Sequence, residues 1–148
     1  MIKELGTLYD RDLAKLQKEI DSFTEDANLW RITGDVKNSA GNLCVHLVGN
    51  LKMYIGNNLG SIPYTRDRDA EFSTKGVAKQ DLSRMVAEAK SAVSATLAKM
   101  EDGELEKTYP EQVLGYPMTT GFFLVHLVAH LAYHLGQINY LRRILDKP

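Results

Sequence analysis

The sequence predicts an all-α protein, a four-helix bundle with two long connections. Three observations predict it: four segments repeat apolar residues at three- and four-residue steps, no segment sustains the two-residue alternation of a half-buried strand, and Pro63, Pro110 and Pro117 all fall between the periodic segments. In the first segment Ile2, Leu5, Tyr9, Leu13, Leu16, Ile20 and Phe23 recur, with Lys3, Asp10, Lys15, Lys18 and Asp21 filling the positions between. That is an amphipathic helix of about six turns. Gly34 and Asn38-Ser39 interrupt the chain before a second run, Leu43, His46, Leu47, Asn50 and Tyr54, predicted to extend from about Ser39 to Asn58 and to stop at Gly60.

Between Ser61 and Gly76 the period disappears into Pro63 and alternating arginine and aspartate. Connections of that length inside a compact domain are functional or packed in their own right. The third helix carries the stripe Leu82, Met85, Val86, Ala89, Val93, Thr96, Leu97 and Met100 and ends near Asp102-Gly103. Pro110, Gly115 and Pro117 enforce the second irregular connection. Thr119 or Thr120 is placed to cap the last helix, which runs to about Asp146 with Arg142, Arg143 and Lys147 near its negative end. Its first half is apolar almost all round, which predicts a position in the middle of the bundle.

A chain of 148 residues has the length of one domain, spanning 1–148. Eighteen Lys and Arg against nineteen Asp and Glu leave a net charge of -1, so no basic excess supports binding to nucleic acid or an anionic membrane. The single cysteine, Cys44, excludes an internal disulfide and fits a reducing compartment. It stands two residues from His46, which turns it away from that side chain, as an inert core thiol. The chain opens on Met1-Ile2-Lys3-Glu4-Leu5 without a secretory apolar segment, and the apolar stretch Gly121 to Leu135 is short for a membrane span and carries three histidines. The expected location is the cytoplasm, away from any membrane.

All four histidines lie on two of the predicted helices. His126, His130 and His134 follow one another at four-residue steps, each step rotating about 40 degrees, and His46 lies on the inward stripe of the second helix. Two imidazoles one turn apart can share a metal ion at about 2.0 to 2.1 Å, and a third from a facing helix would close the site and leave one position free. His126 and His134 are about 12 Å apart along the axis, too far to share an ion. Spacing therefore allows His126/His130 or His130/His134 and does not choose between them. Burying several imidazoles without partners costs roughly 1 to 3 kcal/mol each, which favours a shared cation over four separate core histidines.

The run FFLVHLVAHLAYHLGQI from Phe122 to Ile138 resembles the last-helix signature of the DinB-like family, in which two histidines four apart are followed by Gly-Gln. HLVGN from His46 and RDRDAEF from Arg66 are similar to further segments of a bacterial subgroup without assigned chemistry. The likeness extends over nearly the whole chain. It implies an up-down-down-up bundle, usually homodimeric, with a divalent metal on His46, His130 and His134 and with His126 one turn away. Many members carry arginine after the final histidine, where this chain has Leu135, so an anion bound by that arginine is not implied here.

Neutral imidazoles leave an ion its full charge, so a bound water or thiol is acidified. Related families include transferases that use low-molecular-weight thiols such as bacillithiol or mycothiol. The resemblance therefore implies a thiol-dependent S-transferase or a hydrolase acting on a small molecule. The alternative is a non-catalytic metal-binding or stress-associated bundle. Zinc suits the donors best; nickel, iron and manganese are also compatible. No catalytic acid or base is evident in the sequence. Asn50 and Asn42, one turn either side of His46, are the candidates to orient its ring, with capping or surface exposure preferred for Asn42. Gln137, three residues after His134, stands at the lower edge of the site or bonds to a neighbouring helix. Arg66 and Arg68 are candidates to clamp an anion, although alternating Arg66, Asp67, Arg68, Asp69 and Glu71 also suit a loop pinned by its own ion pairs. Gly49 and Gly56 share a stripe that permits close approach of another helix or a second subunit.

Overall fold

Apolar stripes set the helices, and side-chain caps set several of their starts. The structure, a computed structural model, describes residues 1–147. Helix α1 (Ile2–Asp21) buries Leu5, Tyr9, Leu13, Leu16 and Ile20 along one face. Helix α2 (Ala40–Leu51) starts at Ser39, whose hydroxyl accepts the Asn42 N–H, and runs on as a wider π-helical turn, Lys52–Asn57. Helix α3 (Arg68–Ser73) is capped by Asp67, α4 is Lys79–Lys99, and α5 (Thr120–Leu145) is capped by Thr119. Two 3-10 turns, Asp26–Trp30 and Asp102–Glu106, join the long helices. Among the described residues the one β-type contact is an isolated bridge between Thr108 and Thr119.

The fold is all-α, as predicted, and differs from expectation in three particulars. The second helix is α2 plus a π-turn rather than one continuous α-helix. The connection from Ser61 to Gly76 contains α3, a helix of six residues whose buried member is the polar Glu71. With no apolar stripe on so short a helix, hydrophobic periodicity passes over it. Helix α5 is not enclosed: Phe122, Val125, Tyr133, Tyr140 and Ile144 are at least half exposed on its outer side.

One core joins the long helices, with α1 against α4 and α5, and α2 against α3, α4 and α5. Its largest fully buried side chains include Tyr9, Phe23, Leu47, Leu51 and Phe123, each contributing about 1.5–3 kcal/mol through removal from water. The Tyr9 hydroxyl donates to the Leu124 carbonyl at 2.6 Å, tying α1 to α5 inside that core. Near the end of α5, Glu19 accepts from both Asn139 and Arg142, and Asp146 accepts from Asn28 and the Thr24 and Glu25 amides. By length and composition α5 could cross a membrane. Here its Phe123, Leu124, Leu127, Leu131, Ile138 and Leu141 are buried in the bundle. Helices α2 and α5 run antiparallel, since His46 meets His134 while Tyr54, eight residues on, meets Phe123.

Candidate metal centre

Antiparallel packing of α2 on α5 sets the histidine of one helix opposite those of the other. The His46 and His130 Nε2 atoms are 3.3 Å apart. Ring centroids are 5.1 Å apart for His46 and His130, 5.5 Å for His46 and His134, and 4.6 Å for His130 and His134. The corresponding planes meet at 81°, 85° and 85°, so the rings surround a common point instead of stacking. One ring nitrogen from each lies within 4.8 Å of the other two. His126 is outside this group: its ring lies nearly parallel to His130 at 6.4 Å and stacks on Phe123 at 5.9 Å. Of the two pairings that spacing allowed, His130 with His134 is the one that His46 joins.

The outer nitrogens of two rings are held. His46 Nδ1 is 3.0 Å from Glu71 Oε1, and a carboxylate can only accept, so Nδ1 carries the proton and the Nε2 lone pair faces the cluster. His134 Nδ1 donates to Gln137 Oε1 at 2.6 Å, with the same consequence. His130 Nδ1 is buried and unpartnered. Burial, followed by the neighbouring charges of His134, His46, His126 and Arg66, pushes the His130 ring down to about 4. His46 is also lowered, because burial outweighs its contact with Glu71. These two rings are therefore neutral at pH 7, the state in which imidazole binds a cation.

The donor set fits a divalent ion. Two imidazole nitrogens on a tetrahedral ion, each at about 2.0–2.1 Å, stand about 3.3–3.4 Å apart, which matches the His46–His130 separation. With the His46 lone pair turned inward, that close approach requires an electropositive atom between the nitrogens. A cation held between His46 and His130 would meet that requirement.

Other sequence-predicted residues fall differently. Asn50 is buried with its Oδ1 unpartnered and does not orient His46; Glu71 does. Asn42 is buried, not exposed, and its Nδ2 donates to the Glu71 and Thr74 carbonyls while Oδ1 accepts from Ser39 and Lys75. Arg66 is not free to hold an anion, because Nε and Nη2 donate to Glu71 Oε2 and Oε1 at 2.8 and 3.0 Å. Burial works against its charge, but Glu71 outweighs it and holds the guanidinium above its ordinary range. Arg68 is exposed on the outer side of α3. Burial pushes the Cys44 thiol up to about 12, out of nucleophilic range. Gly49 faces α3, where a Cβ would strike the Glu71 carboxylate, and Gly56 faces Ala92 of α4.

Glu71 is the residue whose role sequence reasoning missed. The available signal was a stripe on α2, since Asn42, His46 and Gly49 lie at i, i+4 and i+7 and all three face Glu71. Beside the cluster, a cavity of about 470 Å³ opens between residues 33–38 and α5, with Leu43, Tyr133, His134, Gln137 and Tyr140 in its wall.

The helical fold is one seen in a DinB-like protein of known structure, and the three-histidine cluster is a candidate metal centre. Solved structures that share the fold include the following two. One is the conserved protein of locus from Enterococcus faecalis, with a TM-score of 0.77 and 15% identity over 98% of this chain and 96% of that one. The other is a DinB-like protein from Bacillus cereus, with a TM-score of 0.70 and 19% identity over 90% and 85% of the respective chains. No curated protein matches the chain. Residues 4–148 match the family described as Protein of unknown function (DUF1572), and the chain belongs to that family.

Proposed function

We propose that this protein is a cytoplasmic, homodimeric, divalent-metal-dependent enzyme, a thiol-dependent S-transferase or a hydrolase acting on a small molecule. His46, His130 and His134 would hold the ion, with zinc favoured by the nitrogen donors. The observation that carries the reading is the convergence of three ring nitrogens within 4.8 Å, two of the rings having their outer nitrogens fixed by Glu71 and Gln137. When bound, a divalent ion on neutral imidazoles supplies Lewis acidity, lowering the pKa of a water or a low-molecular-weight thiol towards neutrality. The protein's part is to keep His46 and His130 unprotonated and to set the ring planes. The adjoining cavity offers a small substrate an apolar wall with the Tyr133 and Tyr140 rings at its edge.

A second reading, a non-catalytic metal-binding bundle, is favoured by the burial of His46, which is 6% exposed. Metal analysis of protein purified without a histidine tag tests the site first. His130→Ala should abolish stoichiometric metal, whereas His126→Ala should retain most of it; full retention by His130→Ala overturns the assignment. Cobalt substitution separates the two readings. A visible spectrum that changes on addition of a small thiol supports the enzyme, and one that stays fixed supports the structural role.

A further inference from the structure

The chain His46–Glu71–Arg66 carries the proposed site outward from α2 through α3 to Arg66, whose part the proposed reaction leaves open. Three α2 residues on one stripe serve Glu71. Asn42 fixes its main chain through the carbonyls of Glu71 and Thr74, Gly49 leaves the space its carboxylate fills, and His46 meets Oε1 at 3.0 Å. Arg66 covers both carboxylate oxygens, its Nη2 sharing Oε1 with His46 and lying 3.5 Å from His46 Nδ1. The Glu71 side chain is 3% exposed and that of Arg66 11%, so their charges act on each other and on His46 with little solvent screening.

We propose that Glu71 is a positioning residue for the bound cation and that Arg66 sets the strength with which it acts. The proposal rests on the metal reading above. Glu71 does two things to His46: it fixes the Nδ1–H tautomer, which aims the Nε2 lone pair at the cluster, and it places negative charge behind the ring, which makes Nε2 a better donor. Arg66 offsets that charge by direct ion pairing. The pair thus tunes cation affinity from outside the ligand set, and its two members act with opposite sign. Mere pinning of the 61–76 connection has a different signature, because loss of either partner would then loosen α3 and weaken the site alike.

Zinc affinity, measured by competition with a chromophoric chelator on the purified full chain, is the test. Glu71→Gln keeps an acceptor near His46 but removes the charge, and should weaken zinc binding about 10–100-fold. Arg66→Gln leaves the Glu71 charge unopposed and should bind zinc at least as tightly as wild type. Arg66→Lys, which keeps the charge, guards against misfolding of the neutral variant and should match wild type; circular dichroism checks that all three variants are folded. A second readout uses metal-free protein: the His46 Nδ1 proton resonance should lie far downfield in wild type and move upfield in Glu71→Gln. Wild-type affinity in Glu71→Gln, or weaker binding in folded Arg66→Gln, overturns the proposal. Wild-type protein that binds no stoichiometric zinc overturns the metal reading instead, and the proton resonance then still reports whether Glu71 holds His46.

Discussion

Two irregular connections, residues 61–76 and 101–119, both return to the second helical segment, yet only the first buries an acid there. In the first, Glu71 is buried against His46 and Arg66. In the second, Glu101 and Glu104 stay at the surface and close a capping box, and exposed Asp102 meets the amino terminus and the Ile2 amide. The second connection reaches inward through Tyr109 instead, whose hydroxyl donates to the Tyr54 carbonyl at 2.6 Å. An acid left in water needs no partner, whereas a buried carboxylate is tolerated only when paired and hydrogen-bonded. The contrast marks the first connection as part of the candidate site and the second as a structural brace.

Gly49→Ala attacks that contrast most directly. A new Cβ would sit 2.8 Å from Glu71 Cδ, so the carboxylate must leave its place beside His46. Overpacking of this kind costs about 1–3 kcal/mol, and both melting temperature and zinc affinity should fall. Unchanged zinc affinity in a folded variant would show that the first connection is a brace like the second.

Acidification should act through the same region. Folded His130 is held near 4 by burial and neighbouring charge, and burial lowers His46 as well, while an unfolded histidine titrates near 6.5. The unfolded chain thus takes up protons first. For chelator-treated protein the stability these rings contribute is complete above about pH 6.5 and is lost as the pH falls towards 4. A melting temperature that stays level across that window, or falls equally in the His46→Gln/His130→Gln double variant, contradicts the burial of these two rings. Tyr109→Phe, in the second connection, should cost about 1 kcal/mol through the lost bond to Tyr54 and leave zinc affinity at the wild-type value. A drop in affinity would erase the distinction between the two connections.

The long helices were legible because burial writes itself into sequence as period, as in the stripes from Leu5 to Ile20 and from Leu82 to Leu97. Histidines on such stripes were legible for the same reason. Choosing between His126 and His134 as the companion of His130 was not, because both lie four residues away and only the level of α2 against α5 separates them. Glu71 was hidden more deeply. It is 25 residues from His46, among alternating charges that resemble a solvated loop, and its burial depends on partners contributed by α2. Gln137 was visible at the right spacing, but spacing does not say whether its amide turns to His134 or to another helix.

The smallest expected effect belongs to Asn50, which shares the stripe of His46 yet bonds to none of the three rings. Its Oδ1 is buried without a partner, a condition that costs free energy in the folded state. Leucine has the same branching and number of side-chain heavy atoms, with bulkier methyl groups, and no acceptor to leave unpaired. Asn50→Leu should therefore change stability by less than about 1 kcal/mol, the lost Oδ1 desolvation cost offsetting any poorer fit. Zinc affinity should fall far less than in Glu71→Gln, since no ring loses a hydrogen bond. The alternative is specific. His130 Nδ1 is also unpartnered, and Asn50 lies on α2 between His46, which meets His130, and Tyr54, which meets Phe123. A loss as large as that of Glu71→Gln would mean that Asn50 supports His130 through a bridging water, extending control of the cluster from α3 onto α2 itself.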